Sequence, residues 1–142
     1  MKKLLSIICF VLFSLKGYCD TLDYYHIFIN DSIIGQYNSR SAVDTIIIQS
    51  EKFKKSDRLI IRYAKDHPCV KCIYGIKVFC EIKEELPQSE TKENFAKLSI
   101  SLNRLKNLRD KYGLESFKLY YYTRGLEGLN QITTSLFVLK LE

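Results

Sequence analysis

Beyond residue 23, apolar side chains recur mainly at every second position, in short runs broken by polar turns. A β-strand points successive side chains to opposite faces, so a period of two demands sheets with one buried face. The segment 97–102 alternates most cleanly, with Leu98, Ile100 and Leu102 facing in and Lys97, Ser99 and Ser101 facing out. The segment 24–30 puts Tyr25, Ile27 and Ile29 on one face. Asn30-Asp31 then reads as a tight turn into 32–37, which makes a hairpin. Segments 45–49, 58–63, 73–83, 117–123 and 133–142 bring the expectation to about eight strands. The polar stretch 84–94, which contains Pro87, reads as the longest loop. One segment changes period: Leu102, Leu105, Leu108 and Tyr112 recur every three or four residues, and Gly113 follows where a helix cap belongs. This predicts one short amphipathic helix near 103–112. The connections are too short for parallel crossovers, apart from that helix. The expected fold is therefore all-β, an antiparallel two-layer β-sandwich, with a closed barrel as the alternative.

The first nineteen residues follow a different logic. Lys2 and Lys3 precede an apolar run over 4–15, and Lys16, Gly17, Tyr18 and Cys19 end it. A basic start, a short apolar stretch and small residues at the exit describe a secretory signal peptide cleaved after Cys19. The run is shorter than the roughly 20 apolar residues a membrane span needs. The expected organisation is a signal peptide over 1–19 and a single domain over 20–142, placed in the periplasm or outside the cell. Lipidation of Cys19 is the alternative and the sole expected route to membrane association, although Lys16 and Tyr18 depart from the lipobox pattern. The leader carries three lysines and no acid, so its loss lowers the formal charge from +6 to +3. With both signs interspersed along the chain, that balance suits solubility and predicts no nucleic-acid partner.

Five cysteines become three once Cys9 and Cys19 leave with the leader. In the strand 73–83, Cys80 shares the apolar face with Ile76 and Val78 and reads as an inert buried thiol. Cys69 and Cys72 flank two residues in His67-Pro68-Cys69-Val70-Lys71-Cys72, a possible disulfide or redox pair; a Cys72–Cys80 bridge competes with it. A redox cysteine is usually activated at a helix start, whereas here a strand follows. A metal site would need ligands beyond His67, Cys69 and Cys72, and His26 is the other histidine. The Pro68–Cys72 stretch resembles half of the zinc-deaminase signature, but the His-x-Glu half has no counterpart.

No phosphate loop, nucleophile elbow or zinc-protease motif occurs, so no cofactor and no enzymatic activity are expected. Glu84, Glu85 and Glu90 read as a solvated loop. Tyr120, Tyr121 and Tyr122 are consecutive: Tyr121 joins Phe117 and Leu119, while Tyr120 and Tyr122 share the other face with Lys118. An exposed Tyr120/Tyr122 pair and the connection 124–132 are the candidate contacts with a protein or glycan partner in a bacterial envelope; cross-strand packing is the simpler use of the same rings. Asn30-Asp31-Ser32 matches an N-glycosylation sequon on a predicted turn. The expected function is a non-enzymatic binding or structural module, with a thiol–disulfide-active protein using Cys69 and Cys72 as the alternative.

Overall fold

A computed structural model describes residues 22–41, 43–82, 86–125 and 131–142. The expected signal peptide, with Cys9 and Cys19, lies outside the described residues, as do Glu84, Glu85 and positions 126–130 of the 124–132 connection. In chain order the described elements are β1 (Tyr24–Ile29), β2 (Ser32–Asn38), β3 (Thr45–Ile48), β4 (Arg58–Ala64), β5 (Cys72–Phe79), β6 (Gln88–Thr91), β7 (Leu98–Ser101), α1 (Leu102–Tyr112), β8 (Ser116–Gly125) and β9 (Gln131–Leu141). They form a two-layer sandwich. Sheet A has the order β2-β1-β4-β7 and sheet B the order β3-β9-β8-β5-β6.

The period of two decides what lies between the sheets. Ile27, Leu59, Ile61, Leu98 and Ile100 point inward from sheet A, and Ile76, Phe117, Leu119 and Leu139 meet them from sheet B. Each such side chain contributes about 1.5–3 kcal/mol through burial. Leu102, Leu105 and Leu108 close the core from α1, the stripe read from their spacing. Ser101 caps this helix by accepting from the Arg104 N–H, and Gly113 ends it at φ 66°, where its N–H reaches the Arg109 carbonyl.

Three features depart from the expected pattern. A ninth strand, β6, forms within the expected loop 84–94. Its sequence Gln-Ser-Glu-Thr has no apolar alternation and is held in place by pairing with β5. Strand β5 stops at Phe79, where its pairing with β8 ends at Lys118, so Cys80 lies past the strand and is half-buried, not enclosed. Strands β3 and β9 pair in parallel, whereas every other pair is antiparallel. They are not consecutive, and the long chain between them, which builds the intervening strands, makes the crossover that a parallel pair requires. A bulge in β9 skips Leu136, between the Leu119–Phe137 and Tyr120–Ser135 pairs, and lets both Leu136 and Phe137 reach the core.

Five tyrosines run through the sandwich. Tyr25 stacks on Tyr63 at 5.9 Å, Tyr63 on Tyr121 at 3.8 Å and Tyr121 on Tyr74 at 6.4 Å, with Tyr37 beside Tyr25 at 5.5 Å. Tyr63 belongs to sheet A and Tyr121 to sheet B, so this pair joins the layers. Gly35 makes room for the Tyr37 ring, which leaves no space for a Cβ at that position.

One polar clasp ties α1 to sheet B. Arg109 donates through Nη1 to Ser50 Oγ (2.7 Å) and to the Leu141 carbonyl (3.0 Å). Ser50 is fully buried and its hydroxyl donates to the Glu142 carbonyl at 2.7 Å. Replacing Arg109 by Leu removes the donor to the Leu141 carbonyl and to the Ser50 hydroxyl, which keeps its own bond to Glu142. Hydrogen bonds to a charged group contribute about 1.5–3 kcal/mol each, so Arg109→Leu should lower unfolding stability by about 2–4 kcal/mol. Urea denaturation measures this, and an unchanged midpoint would show that the clasp contributes nothing.

Candidate functional site

The turn before β5 carries the constellation His67–Cys72. Cys69 and Cys72 are joined by a disulfide with their Cα atoms 5.5 Å apart. Cys72 opens β5 and is buried, while Cys69 is exposed and Val70 is 97% exposed at the tip. The Tyr74 hydroxyl donates to the Cys69 carbonyl at 2.8 Å, which fastens the turn to the tyrosine stack. The preceding residue pair is fastened to the same stack. The Asp66 N–H donates to Asp23 Oδ1 (3.0 Å), and the Tyr63 hydroxyl donates to Asp23 Oδ2 (2.8 Å). Burial, with Asp23 next to it, pushes the Tyr63 hydroxyl well above its ordinary pKa.

This geometry separates the chemistries proposed for the motif. The competing Cys72–Cys80 bridge is absent, and Cys80 is free. Both sulfurs that a metal would need are bonded to each other. Among the described residues no other His, Cys, Asp and Glu side chains gather into a group of three or more. His67 is 88% exposed and faces Asp66, with Nδ1 2.7 Å from Oδ2. His26 stands on β1, on the outer face of sheet A. No helix starts at Cys69, so the usual cause of a lowered thiol pKa is missing. Cys80 lines a cleft of about 240 Å³ with Phe79, Glu81 and Lys118, and burial raises its thiol pKa, which disfavours the reactive thiolate.

The second predicted site lies on the outer face of sheet B, where the structure separates its two tyrosines. Tyr122 is not exposed. It pairs with Gly75 on β5 and its ring covers that glycine, leaving no room for a Cβ. Its hydroxyl donates to Glu90 Oε1 at 2.6 Å, Arg124 Nη2 donates to Glu90 Oε2 at 3.0 Å, and Lys77 Nζ lies 5.6 Å above the ring. Thus Glu90 is not merely a solvated loop acid: it joins β6 to β8. The Arg124 hydrogen bonds, then the Tyr122 one, hold the Glu90 carboxyl below its usual range. Burial and Glu90 together push the Tyr122 hydroxyl up.

Tyr120 remains half-exposed. Phe79, 51% exposed, meets it edge-on at 6.4 Å. With Lys77 and Thr133 the two rings line a hollow of about 240 Å³. The exposed aromatic part of this face is therefore Tyr120 with Phe79, beside Lys77 and next to the Tyr122–Glu90–Arg124 contacts. Alternation along β5 puts Lys77 and Phe79 opposite buried Ile76 and Val78, but it does not connect them to Tyr120. The missing information was the β5–β8 register, which pairs Lys77 with Tyr120.

The predicted sequon falls on the β1–β2 turn, but its amide is already in use. Asn30 holds φ 54°, its Oδ1 accepts from the Arg58 N–H (2.9 Å), and its Nδ2 donates to Asp57 Oδ1 (3.1 Å). A glycan on Nδ2 would have to displace that contact. Comparison of the chain with protein-family models, curated proteins and solved structures finds no match.

Two measurements test these assignments. Opening a tight loop restores little chain entropy, so Cys69→Ser/Cys72→Ser should cost about 2 kcal/mol while the native fold persists; circular dichroism and urea titration read both. Glu90 has a depressed folded pKa, so the stability it supplies is present above the ordinary carboxylate range and is lost as pH falls through that folded value. Tyr122→Phe removes one donor and leaves Arg124. The Glu90 carboxyl should then titrate at higher pH than in the native chain, as followed by carboxyl-carbon NMR. An unmoved titration would deny Tyr122 this role.

Proposed function

We propose that this chain is an exported, non-enzymatic β-sandwich module that binds a protein or glycan partner in a bacterial envelope through the outer face of sheet B. The observation that carries the reading is the preformed hollow between Phe79, Tyr120, Lys77 and Thr133. Its rings sit on adjacent paired strands, and the neighbouring Tyr122–Glu90–Arg124 contacts brace those strands. Little ordering is left to oppose association, which is what a binding surface gains from preorganisation. Tyrosine and phenylalanine supply contact area, and Lys77 and Thr133 supply polar contacts at the rim. Export is supported by the basic-then-apolar pattern of residues 1–19 and by the Cys69–Cys72 disulfide, a bond that persists in oxidising compartments.

The test is a paired substitution, Phe79→Ser with Tyr120→Ser, in the exported protein. Both side chains point away from the core, so the thermal midpoint should stay within a few degrees of the native value. Retention of the partner from solubilised envelope fractions should fall about tenfold or more. Undiminished retention by a folded double variant would remove this face from the proposal. Intact mass of the exported protein gives the leader cleavage point and any lipid on Cys19.

A second reading, a thiol–disulfide-active protein, draws on one observation: Cys69 is exposed on its turn and open to attack by a partner thiolate, with Cys72 behind it as the resolving sulfur. A structural staple has a reduction potential below about −300 mV, and known oxidoreductases lie between about −270 and −120 mV. Equilibration with glutathione buffers decides between them.

A further inference from the structure

The outer face of sheet A carries a second site. On β1 the positions alternating with buried Tyr25 and Ile27 are Tyr24, His26 and Phe28. Their rings touch in series, with centroids 5.6 Å apart between Tyr24 and His26 and 6.3 Å between His26 and Phe28. A fourth ring, Phe95 from the loop between β6 and β7, lies against the first two at 5.4 and 5.5 Å. Phe95 holds φ 62°, a left-handed conformation that a bulky side chain seldom adopts. Its surroundings impose it. The Phe95 N–H donates to the Tyr63 carbonyl (3.1 Å), Arg62 Nε donates to the Phe95 carbonyl (3.3 Å), and Asn94 bonds both backbone groups of Lys65 (3.0 and 3.1 Å). Strain of this kind costs about 1–3 kcal/mol and tends to gather at ligand sites. Here it lays a ring beneath the Arg62 guanidinium, 4.6 Å from the ring centre.

Charge on this face has one dominant sign. The four strands of sheet A contain no Asp or Glu at any position. Arg58 and Arg62 occupy outward positions of β4, Lys97 precedes β7, and no ion pair engages any of the three among the described residues. A hollow of about 150 Å³ opens between Phe28, Ile60, Arg62 and Lys97, with Asn30 and Asp31 of the turn at its rim. Asp31 supplies an acceptor there.

We propose that this face binds a carboxylate-bearing polysaccharide. Sugar rings have apolar C–H faces that lie on aromatic side chains, their hydroxyls use mixed donors and acceptors such as Lys97 and Asp31, and a guanidinium pairs with a carboxylate through two parallel hydrogen bonds. The ladder selects this class over other acidic partners. Strand β1 is interior, and its backbone is committed to β2 and β4. An acidic peptide lying over the rings would bury its own amides without partners, at a cost of about 1–3 kcal/mol each. His26, Phe28 and Phe95 are half-buried among their neighbours, so they cannot insert into a bilayer. Three cations and one rim carboxylate fall short of the phosphate-neutralising groove that a nucleic acid requires.

Affinity electrophoresis of the full chain through gels containing polygalacturonate or alginate tests the assignment, with methyl-esterified polygalacturonate as the uncharged control. Retardation by an acidic polymer is expected, with binding about tenfold or more weaker to the ester, in Arg62→Gln and in Phe95→Gly. Glycine accepts the left-handed backbone, so Phe95→Gly keeps the loop and loses the ring. Should it fail to fold by near-ultraviolet dichroism, Arg62→Gln and Lys97→Gln carry the test. The sheet B variant Phe79→Ser/Tyr120→Ser should bind as the native chain does, so the two faces fail or stand separately. Absence of retardation by both acidic polymers overturns the proposal. So does equal binding of the ester and the variants, or tighter binding to poly-glutamate, an oligonucleotide or anionic vesicles.

Discussion

The contact between Tyr63 and Tyr121 is where the two layers of this sandwich become one structure. Their rings lie 3.8 Å apart and within 14° of parallel, one from each sheet. An aromatic pair contributes about 0.5–1.5 kcal/mol beyond the area it buries, which alone is modest. The larger consequence is polar. A tyrosine placed in a core carries a hydroxyl that needs a partner, and those partners set the surrounding loops. Tyr63 holds Asp23 ahead of β1, Tyr74 holds the Cys69 carbonyl, and Tyr25 reaches the Leu136 carbonyl at the β9 bulge. Burial drives the Tyr121 pKa to about 12, and the neighbouring Thr123 side chain opposes part of that rise.

The sheet edges follow a related logic. On one side β6 and β7 lie close, and the Ser99 N–H donates to Ser89 Oγ at 3.1 Å, so neither edge is a free template there. On the other side β2 ends sheet A. A bulge at Ile34, between the Ile27–Gly35 and Phe28–Ile33 pairs, interrupts its regular ladder. Such irregularity is a common defence of an edge strand against pairing with another chain. The outer faces of the two sheets differ in chemistry.

The fold was legible wherever one residue type alternated with another. The segment 97–102 announced β7 and the turn into α1, and the three-and-four spacing of Leu102, Leu105 and Leu108 announced the helix stripe that Gly113 ends. What stayed hidden depends on neighbours distant in sequence. Gln88–Thr91 is a strand because β5 offers it an edge, not because its side chains demand one. Alternation put Tyr122 on the correct face, yet its burial comes from Gly75 beneath it and Glu90 beside it, brought there by register. The same limit hid Phe79 as the neighbour of Tyr120. Phe95 had no sequence signal at all, since a bulky residue in the left-handed region is held by hydrogen bonds to β4 that only the assembled sheet supplies.

Charge makes the same point for function. Read along the chain, acids and bases alternate and suggest nothing beyond solubility. Folding sorts them. The nine described strands carry six cations, Arg58, Arg62, Lys77, Lys118, Arg124 and Lys140, and one carboxylate, Glu90. The other described carboxylates occupy turns, loops, the helix and the C-terminus, where several are used locally. Asp57 accepts from the Lys54 N–H and from Asn30, and Asp110 pairs with Lys106 and Arg109. A short acidic side chain suits a turn because it can accept from its own nearby backbone. A sequence that closes its turns with carboxylates therefore leaves its sheet faces cationic without any run of basic residues. On sheet B the single carboxylate is bound to Arg124 and Tyr122, which offsets part of that excess. On sheet A nothing within the strands offsets it, and a modest net charge becomes a predominantly cationic surface beside an aromatic ladder, with Asp31 at its rim.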